Sequence, residues 1–147
     1  MIQRKQSIWL LIAALLNAGV FYFDLYRYHN VLTGTTPIAP TNLNVSNHYP
    51  SLLIAMVMTA LPFITIFMFG NRKRQIRMSF ASILAILSFT SMMLWRVTNL
   101  GRLTPPPTSG NYWIGAILPV IALVFIIMAM VAIRKDEKLV KSADRLR

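Results

Sequence analysis

The sequence predicts an all-α integral membrane protein, a bundle of four transmembrane helices, and three observations predict it. Hydrophobic residues make up 56% of the chain and charged residues only 13%, about half the charged share of an ordinary soluble domain. The apolar residues fall in four long blocks parted by polar segments, the pattern that bilayer spans leave in a sequence. The basic residues, 15 against 4 acidic, collect at alternate ends of those blocks.

The first block covers about residues 7–24 and follows a short basic start, MIQRK. It is longer than the core of a secretory signal, and it ends in Tyr22 and Phe23 rather than a small-x-small cleavage site, so it reads as a retained helix. Residues 25–51 form the longest polar stretch. Pro37, Pro40, Pro50 and Gly34 oppose a continuous helix there, which predicts an outer loop with short extended pieces, such as 42–46, and room for a hairpin. The second block, 52–70, carries no charge over 19 residues and is long enough for most of a ~30 Å hydrocarbon core. Pro62 sits in its middle and predicts a kink, tolerated where a neighbour satisfies the carbonyl that proline frees.

Residues 71–77 (NRKRQIR) read as a tight cytoplasmic turn between antiparallel helices. The third block, 78–97, is diluted by Ser79, Ser82, Ser88, Thr90 and Ser91. With Ala81 and Ala85 these small residues place the helix inside the bundle, with hydroxyls available to bond across the contact. Residues 98–111 close it with a Pro-Pro-Pro turn. The fourth block, 112–133, opens on Tyr112 and Trp113 and carries Pro119. In the tail, 134–147, Leu139, Val140, Ala143 and Leu146 share one helical face. That predicts an amphipathic cytoplasmic helix, either continuing the span or lying on the membrane. The whole chain, 1–147, reads as a single membrane domain.

Charge sets the orientation. Four crossings put the start, the 71–77 turn and the tail on one side, and twelve of the 15 basic residues fall there. Two are in the start (Arg4, Lys5), four in the turn (Arg72, Lys73, Arg74, Arg77) and six in the tail (Arg134, Lys135, Lys138, Lys141, Arg145, Arg147). Only Arg27, Arg96 and Arg102 face the other way. Positive residues in short flanks stay in the cytoplasm, so both termini are expected there. The same imbalance explains the net charge of +11 without nucleic acid as a partner. These ten turn and tail residues are the candidate contacts for anionic lipid head groups, or for another membrane protein or a second copy of the chain.

The sequence offers little chemistry. Without cysteine it has no disulfide, thiolate metal site or thiol-exchange reaction. No block holds an ionisable residue in its interior, where proton and ion paths are usually marked. Asp24 and Arg96 lie at the outer rims, where Asp24 has Arg27 and Arg96 as possible ion-pair partners. Asn17 reads as an interhelical hydrogen-bond donor, and Asn17, Ser82, Ala85, Pro62 and Pro119 are the candidate packing positions. His29, His48 and Asp24 offer a weak three-ligand metal pattern, with solvated loop residues as the simpler reading. No catalytic residue, metal or cofactor is expected.

The start MIQRKQSIWLLIAALL, the turn NRKRQIRM and the ending AIRKDEKLVKSADRLR resemble a family of short four-span bacterial inner-membrane proteins, catalogued only as a domain of unknown function. The resemblance runs the length of the chain and is most specific over residues 133–147. It implies a bacterial plasma-membrane location and carries no activity, substrate or site residue. The expected function is therefore a non-enzymatic accessory or structural subunit of a membrane complex. A small oligomeric transporter or channel is the alternative, favoured by Pro62, Pro119 and the hydroxyl-rich third block. A membrane enzyme acting on lipid or quinone is the third reading, and needs Asp24, His29, His48 or the outer arginines to converge.

Overall fold

The computed structural model describes residues 3–29, 41–68, 70–102, 107 and 109–145. Four helices and three short strands follow in the order α1 (Gln3–Gly19), β1 (Tyr26–His29), β2 (Thr41–Leu43), α2 (Tyr49–Phe67), α3 (Arg72–Leu100), β3 (Ser109–Tyr112) and α4 (Ile114–Arg145). The helices form a ring in sequence order: α1 packs on α2 and α4, and α3 packs on the same two. Three of them, α2, α3 and α4, are long and apolar enough to cross a membrane.

All four helices bury residues at alternating steps of four and three. The inward positions are Gln6, Leu10, Ala13 and Asn17 on α1, and Ser51, Ala55, Met58, Pro62 and Thr65 on α2. On α3 they are Gln75, Ser79, Ser82, Ile86, Phe89 and Met93, and on α4 Gly115, Pro119, Ala122, Ile126, Ala129 and Ile133. A 3.5-residue spacing is the seam of a left-handed bundle. Many of these residues are small or polar, while Leu, Ile, Val and Phe crowd the exposed faces, among them Leu15, Leu53, Phe63, Phe80, Val124 and Val131. A soluble bundle has the opposite arrangement. An outer surface this apolar matches hydrocarbon rather than water.

Several boundaries depart from the sequence reading. The basic segment 71–77 is not a turn. Asn71 caps α3 by accepting the Arg74 N–H at 3.2 Å, and the good helix formers behind it extend the helix by about two turns. α1 ends at Gly19 rather than near residue 24. Beyond it the amides of Val20, Phe21 and Tyr22 bond to carbonyls three residues back, at 3.0–3.2 Å, so the chain tightens into a 3₁₀-like turn. The fourth helix starts at Ile114, because residues before it pair as a strand. The tail continues α4 without a break to Arg145, giving a helix about 48 Å long at 1.5 Å per residue.

The fold is also not all-α. The extended piece near residue 42 exists, as β2, but its partner arrangement goes beyond a hairpin. β1 lies in the middle of a sheet ordered β2-β1-β3, antiparallel to both neighbours. Tyr26 faces Leu43 on one side and Tyr112 on the other, and the Leu25 carbonyl accepts the Trp113 amide at 3.0 Å. The sheet thus ties together the connection from α1 to α2 and that from α3 to α4. Leu25, Leu43 and Val45 are buried and complete the core at this end. The short link between α2 and α3 lies at the opposite end, and there Arg72 of α3 pairs with Asp136 of α4 at 3.0 Å.

Hydroxyls expected to bond across helices mostly do not. Thr59, Thr65, Ser79, Ser82, Ser88 and Thr90 each donate to the carbonyl four residues back in their own helix, at 2.6–3.0 Å. That acceptor is always within reach, whereas a cross-helix partner needs matching depth and rotation.

Candidate functional site

Asn17 does form the cross-helix bond assigned to it. Its Nδ2 donates to the Met58 carbonyl at 2.9 Å. Met58 lies four residues before Pro62, so its carbonyl is the one left without an N–H by the proline ring. The donor on α1 supplies what α2 lacks. Ser82 is buried and Ala85 packs against the core. Pro62 and Pro119 are both buried within unbroken helices.

The candidate contact residues at the basic end are distributed over two helices. Lys73, Arg74 and Arg77 are exposed on α3, and Arg134, Lys135 and Lys138 on α4. Arg72 is engaged by Asp136, so it acts as a clamp between the helices. The side chains of Lys141 and Arg145, and all of Arg147, lie outside the described residues. Buried Gln75 reaches the Thr65 carbonyl on α2 at 3.4 Å, a second link at this end.

The opposite end holds a pocket of about 420 Å³, lined by Tyr28 and Asn42 from the sheet, His48 at the head of α2, and Trp95, Arg96 and Asn99 near the end of α3. In the sequence His48 reads as a solvated loop residue and Arg96 as a rim charge. The structure joins them. His48 is the N-cap of α2: its Nδ1 accepts the Ser51 amide at 3.2 Å and lies 2.8 Å from the Ser51 hydroxyl. Arg96 donates from Nη1 to the Asn44 carbonyl at 3.0 Å and to Ser51 Oγ at 3.5 Å. The pattern that could have exposed this cap is a polar residue before Tyr-Pro-Ser, with proline in the first helical turn.

Asp24 chooses Arg27, not Arg96. Arg27 meets Asp24 Oδ2 at 2.7 Å and stacks over the Trp113 ring at 4.1 Å. His29 ends β1 and is exposed, and among the described residues no three His, Cys, Asp or Glu side chains cluster as metal ligands would.

The cap makes a pH prediction. An Nδ1 that accepts an amide must be unprotonated, with the ring proton on Nε2. Burial first, and then the Arg96 charge, lower the His48 pKa below the ordinary 6.5. The unfolded chain therefore binds a proton where the folded chain resists it, so stability rises with pH. The contribution is complete above pH 6.5 and is lost as the pH falls through the lower folded value. Thermal melts in detergent at pH 7.5 and pH 5 should show wild-type protein losing up to about 1 kcal/mol, the worth of a cap. His48→Asn keeps a cap without a titrating group, and its melts should lose that step. An identical acid loss in the variant would assign the effect elsewhere.

No curated protein matches the chain. The DUF4293 family, described as a domain of unknown function, matches residues 2–146. Its span takes in every helix and strand described above, together with the capped pocket and the clamped basic end, and the chain belongs to the DUF4293 family.

Proposed function

We propose that this chain is a bacterial inner-membrane protein that crosses the bilayer four times, with both termini in the cytoplasm, and serves as a non-enzymatic accessory or structural subunit of a membrane complex. The observation that carries the reading is the basic end. α3 and α4 extend there past their apolar stretches, Arg72 and Asp136 clamp them together, and six exposed cations project from the paired helices. A rigid cationic platform suits anionic head groups, at about 1 kcal/mol per residue near the surface, and an acidic face on a neighbouring subunit. The crossing of α1 is supported by its length: 17 helical residues and the tight turn to Phe23 together reach about 33 Å at the usual rises. The apolar exterior supports the membrane setting, and the excess of Lys and Arg at the basic end supports its cytoplasmic side.

Two measurements test this. Because the chain has no cysteine, single cysteines report topology cleanly. Tyr49→Cys should react with an impermeant maleimide in intact cells, and Lys138→Cys only after permeabilisation. The reverse labelling would invert the orientation. Tagged protein extracted from native membranes should bring a defined partner or a second copy, and Lys73→Gln/Arg74→Gln/Arg77→Gln should reduce that recovery several-fold. A wild-type chain that purifies alone and monodisperse after cross-linking would remove the subunit role.

A further inference from the structure

The pocket at the sheet end contains a charge that nothing in the chain neutralises. The sequence has four acidic residues. Asp136, Glu137 and Asp144 sit in the last part of α4, at the opposite end of the bundle. Asp24 is held by Arg27 at 2.7 Å. No residue outside the described ones carries an acidic side chain. Among the described residues Arg96 therefore bonds only neutral oxygens, the Asn44 carbonyl at 3.0 Å and Ser51 Oγ at 3.5 Å. Both bonds use Nη1, so Nε and Nη2 keep hydrogens to donate. A part-buried guanidinium without a counter-ion is costly to keep, and its planar fork matches the oxygens of a phosphate group.

The rest of the pocket has the same polarity. His48 lines it, and its role as a cap leaves the ring proton on Nε2 as a donor. Tyr28, Asn47 and Asn99 line it too, each with an O–H or N–H to offer. His48 also marks the N-terminal end of α2, a helix of 19 residues, where a helix carries partial positive charge. One full and one partial positive charge thus meet at a pocket whose lining includes no carboxylate.

Depth narrows the anion. Trp95 is 57% exposed at the pocket, and Tyr49, Tyr112 and Trp113 are exposed at the same end of the bundle. Tyr and Trp collect at the level of lipid head groups, where phosphate esters are the abundant anions. The volume, about 420 Å³, is in the range of small-ligand sites.

We infer that this pocket is a phosphate-ester site anchored by the Arg96 guanidinium, at the end opposite the basic platform. The site stands on the pocket's own charge. Only the choice between a phospholipid head group and a soluble phosphate ester depends on the membrane reading above.

A single cysteine, Asn47→Cys, reports occupancy at the pocket itself and is blind to the platform. Asn47 lines the pocket and is exposed, and the chain has no other cysteine. Its reaction with N-ethylmaleimide is followed in detergent at fixed ionic strength, with glycerol 3-phosphate, phosphatidylglycerol, diacylglycerol or acetate added. At least one of the two phosphate compounds should slow labelling several-fold, and diacylglycerol and acetate should not. Arg96→Gln should raise the half-protecting concentration about tenfold, the effect of one hydrogen bond to a charged group. Arg96→Lys replaces the fork by a point charge and should raise it several-fold. It carries the test if Arg96→Gln, which also loses the Asn44 contact, melts early. Protection by phosphatidylglycerol alone assigns a lipid head group. Protection by glycerol 3-phosphate at equal concentration assigns a soluble ester. The inference is overturned if neither phosphate compound protects, if diacylglycerol or acetate protects equally, or if both arginine variants leave the protecting concentration unchanged. A chain that never enters micelles would strike the membrane reading and leave the glycerol 3-phosphate arm to decide.

Discussion

Replacing Asn17 with Leu should destabilise the bundle by about 1–2 kcal/mol in the natural background, and by almost nothing once Pro62 is Ala. Asn17, Met58 and Pro62 are all fully buried, so no water can reach the Met58 carbonyl when the α1 donor is removed. Pro62→Ala restores an N–H at position 62, and that amide closes the ordinary bond to Met58. The second variant should therefore rescue the first. In the rescued background Asn17→Leu should be neutral or mildly favourable, because the Asn17 amide oxygen is itself buried without a donor. A double-mutant cycle by reversible unfolding in detergent measures the coupling. Additivity within about 0.5 kcal/mol would show that the two residues do not act on one carbonyl.

This pairing was half visible in the sequence. A proline inside an apolar block announces a freed carbonyl, and an asparagine inside another announces a buried donor. That they meet depends on the relative depth of α1 and α2, which no local pattern encodes. The helices themselves were legible for a simple reason: each is apolar around most of its circumference, so block length alone marks it. The same property hid the packing faces. When Ser79, Ser82 and Gln75 point inward while Phe80, Leu84 and Leu87 point outward, hydrophobicity no longer tells inside from outside, and the 3.5-residue seam appears only in the structure.

The ends are harder to read from sequence, because a run of charge resembles irregular chain. Arg72–Arg77 carries four cations yet is helical, since Arg, Lys and Gln are good helix formers and Asn71 supplies the cap. The strands are three or four residues long, too short for alternation to register, and β1 and β3 are separated by about 80 residues. The pocket at the sheet end inherits that difficulty. Its residues come from β1, β2, the head of α2 and the end of α3, so Arg96 and His48 could not be joined before the sheet was known. What the sequence did contain is the imbalance that gives the pocket its character, a single carboxylate for three arginines on that side.

The sheet end is also where the fold should be least forgiving of added bulk, and Gly115→Ala tests that most severely. Gly115 is buried at the first turn of α4, with its amide donating to the Asp24 carbonyl at 3.0 Å. A Cβ there would stand 2.6 Å from the Asp24 oxygen and 2.7 Å from the Phe23 oxygen. Both are backbone atoms, held in turn by the Trp113–Leu25 bond and by the Asp24–Arg27–Trp113 contacts, so neither can step aside alone. The methyl group must lift α4 away from the chain that follows α1, at about 3 kcal/mol or more. Gly19→Ala is the control on the same helix pair. Its Cβ would approach the Leu118 Cδ1 at 2.7 Å, but that atom ends a flexible side chain and can rotate. Neither glycine has a left-handed backbone, so alanine adds no strain of its own, and at Gly19 it should be neutral or gain a few tenths of a kcal/mol through the unfolded chain. Melting temperatures in detergent should therefore separate the two variants widely, and a Gly115→Ala protein as stable as Gly19→Ala would mean that α4 does not sit against the Phe23 and Asp24 carbonyls.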